Sequence, residues 1–154
     1  MIGAGRPPIP PLVPATDADL EDVEELVAVA GLALAGLGDC VARGTAVICR
    51  EHDGCLMGTA ATERFGDVAF LRSVAVHPAA QGHGLGRALV ERALADARAA
   101  GAREAWLLTE TAEPFFARLG WTRAERGKAP AAVATSIEFT SACPSTAIAM
   151  RRAL

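Results

Sequence analysis

Glycines at 82, 84 and 86 alternate with His83 and Leu85, directly after Gln81 and directly before Arg87. A glycine-rich turn lets the backbone approach a ligand closely, because no Cβ stands in the way. The apolar pattern that follows is helical, so the turn feeds the start of a helix. That start offers unpaired N–H groups and the positive end of a dipole. Arg87 adds a charge just inside the helix. The combination is an anion site, and a pyrophosphate is the expected occupant. Arg72 is the second chemical residue, a charge inside the apolar run Leu71-Arg72-Ser73-Val74-Ala75-Val76. A buried arginine needs a partner or a polar cleft. Two readings stay open: a bidentate grip on a substrate carboxylate, or a salt bridge to an internal acid such as Glu110 or Glu138.

Composition limits what else the chain does. It has 154 residues, 51% of them apolar and 21% charged, which fits one globular domain with a real core. A net charge of −3 argues against nucleic acid as a partner. A phosphate ligand must then be held by local features. The first residues are proline-rich and lack a continuous apolar core, so no secretory signal is read there. The run from Leu26 to Leu37 is too short and glycine-interrupted to span a bilayer. A cytoplasmic protein without membrane contact is the default expectation. Cys40, Cys49, Cys55 and Cys143 form no C-x-x-C pair, so no metal site is expected. Cys49 and Cys55 flank the His52-Asp53-Gly54 turn and could face each other across a hairpin.

The elements that position these residues follow from periodicity. Residues 1–11 read as a flexible proline-rich lead-in, and residues 12–154 as a single domain. Leu12-Val13 begins a first strand. A helix capped near Thr16 or Asp17 carries Leu20, Val23, Leu26, Val27 and Ala30 on one stripe. A poorly defined helix or loop spans Leu32 to Val41. Thr45–Arg50, Cys55–Arg64 and Val68–Val76 read as a three-strand meander. Leu85, Leu89, Val90, Ala93, Leu94 and Ala97 make the apolar stripe of the helix after the glycine turn, which Gly101 ends. Ala105–Leu108 is a buried strand, Ala112–Leu119 a short helix and Trp121–Arg126 another strand. Ala129–Ala134 makes a helical turn, Phe139–Pro144 is irregular, and Ala147–Leu154 is the last strand.

One ordered set is more specific than any single turn. Val74-Ala75-Val76-His77-Pro78 precedes Gln81–Gly86. Leu107-Leu108-Thr109 follows, and then Phe115-Phe116 through Gly120-Trp121. This order resembles the GCN5-related N-acetyltransferases (GNAT). A dinucleotide-binding reading fails, because the turn is not in the first strand–helix unit and no acidic residue ends a strand about 20 residues later. Within residues 71–150, Leu71–Val76, Leu107–Thr109 with Ala112, Glu138-Phe139, Cys143-Pro144-Ser145, Ala147 and Met150 resemble the arsenic-resistance N-acetyltransferases. These are similar in turn to the acetyltransferase domains that make N-acetylglutamate.

The resemblance implies an α/β (α+β) fold with one mixed, mostly antiparallel twisted sheet. About six to seven strands would be flanked by about four helices, with a splayed parallel pair at the centre. It implies acetyl-CoA as cosubstrate, with the pantetheine arm along Val74, Ala75 and Val76. The pyrophosphate would lie on Gln81, Gly82, His83, Gly84, Leu85, Gly86 and Arg87, and Phe116 would lie nearby. The amide near Val74 would polarise the thioester carbonyl. Arg72, Ser73, Thr109 and Arg126 are the expected substrate contacts. Partners are a small amine substrate and, as one option, a second copy in a homodimer.

The reaction would be direct attack of an amine on the thioester. An amine of pKa about 10.4 is neutral in only about 1 in 10³ molecules at pH 7, a penalty of roughly 4–5 kcal/mol. A base must relieve it. Glu110, Glu113 and Glu138 are candidates, directly or through water. Many relatives place a tyrosine on the helix after the fifth strand as the acid near sulfur. This chain has no tyrosine, and Phe115 and Phe116 stand there. Ser145, Cys143 and Thr111 are the remaining donors, unless the thiolate leaves without an acid. Two other functions compete: an acyl-CoA-binding regulator that lost catalysis, and an arsenite binder using Cys40, Cys49 and Cys55.

Overall fold

Val47 and Cys49 alternate with Ala46 and Ile48 along one strand, and the two pairs fall into separate cores. The same alternation runs through the sheet that organises the computed structural model, which describes residues 8–136, 138–142 and 145–154. Its strands are β1 (Leu12–Pro14), β2 (Ala46–Arg50), β3 (Leu56–Phe65), β4 (Val68–Val76), β5 (Glu104–Thr109), β6 (Thr122–Ala124) and β7 (Ile148–Ala153). They lie in the order β1-β2-β3-β4-β5-β7-β6. All neighbours are antiparallel except β4 and β5, which run parallel. The helices are α1 (Leu20–Val29), α2 (Leu37–Ala42), α3 (Leu85–Ala99), α4 (Glu113–Arg118) and α5 (Ala131–Ala134). This is the mixed, mostly antiparallel sheet that the sequence resemblance implies.

α3 covers one face. Its buried Leu85, Leu89, Val90, Ala93, Leu94 and Ala97 pack with Val47, Cys49, Met57 and Leu71. Each large side chain contributes about 1.5–3 kcal/mol by leaving water. The helix approaches closely because Gly58 has no side chain. A Cβ there would stand 2.6 Å from Leu89 Cδ1 and 3.3 Å from the Ala75 carbonyl oxygen. Gly58→Ala is expected to lower the unfolding free energy by about 1–3 kcal/mol, read as a lower urea midpoint. An unchanged midpoint would contradict this packing.

α1 and α2 cover the opposite face with Val23, Val27, Leu37, Cys40 and Val41. Farther along that face, Val133 and Phe139 pack on Phe70 and Trp106.

Two local features shape the centre. Thr59 pairs with Ala75 and Ala61 with Arg72, so Ala60 opposes both Ser73 and Val74. This is a β-bulge, which bends a strand and re-aims its side chains. Ser73 carries it with φ +55°, a left-handed conformation that costs a non-glycine residue about 1–3 kcal/mol. The second feature is the short parallel ladder. β4 and β5 pair only at Val68–Glu104, Ala69–Ala105 and Phe70–Trp106. Beyond Phe70 the strands part.

The elements differ from the sequence expectation in places. Residues 30–36 are not helical; Gly36, at φ +84°, caps α2 only at Leu37. The strand expected over Trp121–Arg126 is limited to Thr122–Ala124, because pairing with β7 ends at Ala124–Ala149. Arg126 therefore opens a 3₁₀ turn, Arg126–Lys128, rather than lying on a strand. Glu138–Ala142 forms a π-helical turn where irregular chain was expected. Cys49 pairs with Gly58, not with Cys55, because Arg50 meets Leu56 across the hairpin end. Of the lead-in, residues 1–7 lie outside the described residues. Residues 8–11 run against the fold, where the Cys49 thiol donates to the Pro10 carbonyl at 3.7 Å.

Candidate functional site

Where β4 and β5 part, a cavity of about 500 Å³ opens. Leu71–Val74 form one wall, and Leu107–Thr109 with Glu110, Thr111 and Ala112 form the other. Phe116, Glu138 and Ala147 line it as well, and Ala30–Ala33 close it from the α1 side. The bulge matters here, since it brings Ser73 and Val74 to the opening. Ala75, by contrast, is buried in the core beneath α1 and α2, so only its backbone is available to a ligand.

The glycine turn follows the end of β4. Gly82 and Gly84 take φ of +83° and +84°, which glycine adopts without strain. Gly84 is the N-cap of α3, so Leu85, Gly86 and Arg87 present the first-turn amides. Gln81 Nε2 donates to the Val76 carbonyl at 3.0 Å and ties the turn to the strand. Gly86 sits where a Cβ would be 3.4 Å from Phe115 and 3.5 Å from Val76. Arg87 is exposed. The His83 side chain lines a second cavity instead, of about 560 Å³, with Pro8, Pro10, His52 and Leu85.

The Arg72 side chain is fully buried in the site. Its Nη1 meets Glu63 Oε1 at 2.7 Å, and its Nη2 meets Glu138 Oε1 at 3.1 Å. Nε donates to Ser73 Oγ at 3.1 Å, which holds the bulge, and Nη2 donates to the Ala33 carbonyl at 3.3 Å. Gly36 makes room for this arrangement, since a Cβ there would lie 2.8 Å from Nη1. One guanidinium thus fastens β3, the loop after α1 and the π-helical turn around one side of the cavity. Of the two readings of Arg72, the internal salt bridge is present, with Glu138 as one partner. Glu63 is a partner that the sequence reading missed.

The other expected site residues divide. Glu110 is exposed at the cavity mouth and accepts a hydrogen bond from Thr146 Oγ1 at 3.0 Å. Thr109 also lines the cavity, and its Oγ1 accepts from the Ala112 amide at 3.0 Å. Phe116 is buried, edge-on to Phe115 and Trp121. Arg126 does not line the cavity. It donates from Nη1 to the Ala147 carbonyl and from Nη2 to the Phe139 carbonyl, at 3.2 and 3.0 Å, and stacks over the Phe139 ring. Its short 3₁₀ turn points it at these carbonyls and not at the opening. Ser145 lies on an exposed turn before β7 and is not part of the lining. Thr111 is in the lining. Cys143 lies outside the described residues.

The thiols do not gather. Cys40, on α2, is buried in the core on the α1 side, Cys49 is buried on the α3 face, and Cys55 is exposed. Successive residues of a strand face opposite ways, and the sheet separates the two buried thiols. A three-thiol arsenite site from Cys40, Cys49 and Cys55 is therefore not formed. Burial pushes the Cys40 and Cys49 thiols up from their ordinary range. An iodoacetamide reaction at pH 8 is expected to label Cys55 first and to spare Cys40 and Cys49 until the fold is lost. Peptide mapping reads the order, and early labelling of Cys49 would contradict its burial. Among the described residues, no group of three or more His, Cys, Asp or Glu could hold a metal ion. Nor is any described helix long and apolar enough to cross a membrane.

A parted parallel strand pair, a bulge beside it and a glycine turn capping the next helix define an acyltransferase architecture. The chain belongs to the acetyltransferase (GNAT) family, whose model matches residues 18–121. It is 46% identical over 59 residues to the amino-acid acetyltransferase of Mycobacterium tuberculosis, a match covering 38% of this chain and 33% of that protein. N-acetylglutamate synthase from Neisseria gonorrhoeae, complexed with coenzyme A and N-acetyl-glutamate, superposes with a TM-score of 0.81 at 22% identity. That superposition covers 98% of this chain and 36% of the synthase. The Mycobacterium tuberculosis protein Rv2747, in complex with CoA, superposes with a TM-score of 0.78 at 27% identity, covering 94% of this chain and 99% of that one. The chain thus spans about a third of the length of the amino-acid acetyltransferase and of the synthase.

Proposed function

We propose that the chain transfers an acetyl group from acetyl-CoA to the primary amine of a small molecule, by direct attack in a ternary complex. An amino acid or an amino-acid-like toxin is the acceptor class, and arsenic resistance is one setting for it. The observation that carries this reading is the gap between β4 and β5 beyond Phe70, which opens on a cavity lined by Glu110 and Glu138. The amino-acid class is supported by the relatives named amino-acid acetyltransferase and N-acetylglutamate synthase.

Each part of the site has a task in this reading. The amides from Gln81 to Arg87 hold the pyrophosphate, at a helix start whose dipole favours anions. Backbone groups of Val74 and Val76 pair with the pantetheine arm, and the Val74 amide polarises the thioester carbonyl. Ser73 and Thr109 border the acceptor. Glu110 or Glu138 takes the proton from the acceptor ammonium. Phe116 excludes water and cannot donate a proton; of the donors considered for sulfur, Ser145, Cys143 and Thr111, it is Thr111 that is among the described lining residues and takes that role.

A CoA-thiol release assay tests the reading, run across amino acids, polyamines and arsenic- or phosphorus-containing amino acid analogues. Turnover with an amino acid is the expected result. Heat protection by acetyl-CoA with no turnover on any amine would favour the acyl-CoA-binding regulator instead.

A further inference from the structure

We propose that an acceptor carboxylate displaces Glu138 from Arg72, and that the displaced Glu138 becomes the base for the acceptor's own amine. The inference rests on the acetyltransferase reading above and adds to it a rule of substrate choice.

The two carboxylates on Arg72 are not equivalent. Glu63 makes the shorter contact, 2.7 Å against 3.1 Å for Glu138. Glu63 projects from the regular strand β3 and does not line the cavity. Glu138 lines the cavity and opens a five-residue π-helical turn. It is therefore the partner that an incoming ligand meets. Arg72 itself has little left to offer, because Nε, Nη1 and Nη2 are all engaged. A third carboxylate added beside it would crowd three negative charges on one buried cation. Exchange avoids that, since one carboxylate arrives on the guanidinium as another leaves.

An amino acid carries its ammonium one carbon from its carboxylate. With that carboxylate on Arg72, the ammonium stands next to the displaced Glu138. Glu138 thus trades a guanidinium for an ammonium and keeps a positive partner throughout. The proton balance then follows. The ammonium gives one proton to Glu138, which passes it to water. The neutral nitrogen forms a bond to the thioester carbon. As the C–S bond breaks, its electron pair goes to sulfur. The second proton, shed by the nitrogen, ends on the CoA thiol. An amine that lacks a carboxylate leaves Glu138 held by Arg72 and reacts slowly.

Glu138→Gln separates the two halves of the proposal, because a neutral amide competes poorly for Arg72 and cannot act as the base. With the best amino acid acceptor, KM is expected to fall several-fold, while kcat falls on the order of 10²–10⁴-fold. Glu63→Gln should not lower KM. A KM that stays or rises in Glu138→Gln overturns the exchange, and a retained kcat overturns the base. A second measurement needs no variant: the parent's kcat should be at least about tenfold higher with the amino acid than with its decarboxylated amine, a barrier difference of about 1.4 kcal/mol. Equal values sink the idea. Absence of any parent turnover sinks the acetyltransferase reading and this inference together. Turnover with the wrong Glu138→Gln pattern sinks only the exchange.

Discussion

Arg72→Ala is expected to lower the unfolding free energy by about 3–5 kcal/mol, the usual result of removing one partner from a buried ionic group. The side chain is fully buried, Glu138 is nearly so, and Glu63 is only partly exposed. Truncation removes the guanidinium that both carboxylates share. It also removes the donor to Ser73 Oγ and the donor to the Ala33 carbonyl. The left-handed backbone at Ser73 then loses a side-chain tie that holds it. A domain of this size loses about 2–4 °C of melting temperature per kcal/mol, so the drop should be about 6–20 °C by circular dichroism. Arg72→Lys should recover only part of it, because an ammonium cannot reproduce the planar fork that reaches both carboxylates. A melting temperature within 2–3 °C of the parent (about 1 kcal/mol) would show that the network contributes little.

Gly84→Asp should weaken CoA binding by a larger factor than any other single change in the turn. Gly84 caps α3 with φ +84°. A side chain there costs about 1–2 kcal/mol in that backbone region, although aspartate tolerates it better than most residues. Aspartate is also a favoured cap, so the fold should survive. The charge is the main effect. A carboxylate about 4 Å from a phosphate is repelled by about 4 kcal/mol at an effective dielectric near 20, or about a thousandfold in affinity. Calorimetry with CoA at low salt reads the loss, and added salt should shrink it. Acetyl-pantetheine, which lacks the pyrophosphate, provides the control. If both ligands weaken equally, the turn is not where the pyrophosphate binds.

Much of this was legible in the sequence. The meander over Thr45–Arg50, Cys55–Arg64 and Val68–Val76, the helical stripe from Leu85 to Ala97 and the glycine turn all follow from local pattern. The Glu63–Arg72 pair follows from the hairpin register as well. A two-residue turn at Gly66-Asp67 pairs Phe65 with Val68, and counting back places Ala61 opposite Arg72. Glu63 lies on the same face, two residues along. The bulge at Ser73 had no such signal, because serine does not mark a left-handed backbone. Ala33 contributes a carbonyl, which every residue owns, so no side-chain chemistry could have flagged it. Arg126 differs for a related reason: a charged residue at the end of an expected strand looks available, but two nearby carbonyls accept from its guanidinium.

The parallel ladder between β4 and β5 has only three rungs, ending at Phe70 and Trp106. Those rungs act as the stop of a zip. Each further rung would close about 3.3 Å of the gap, since that is the rise of a strand per residue. Along the strands, the closed end of the gap is therefore set by backbone pairing. Moving the stop by one residue would lengthen or shorten the gap by that rise, between the same two walls of Leu71–Val74 and Leu107–Thr109.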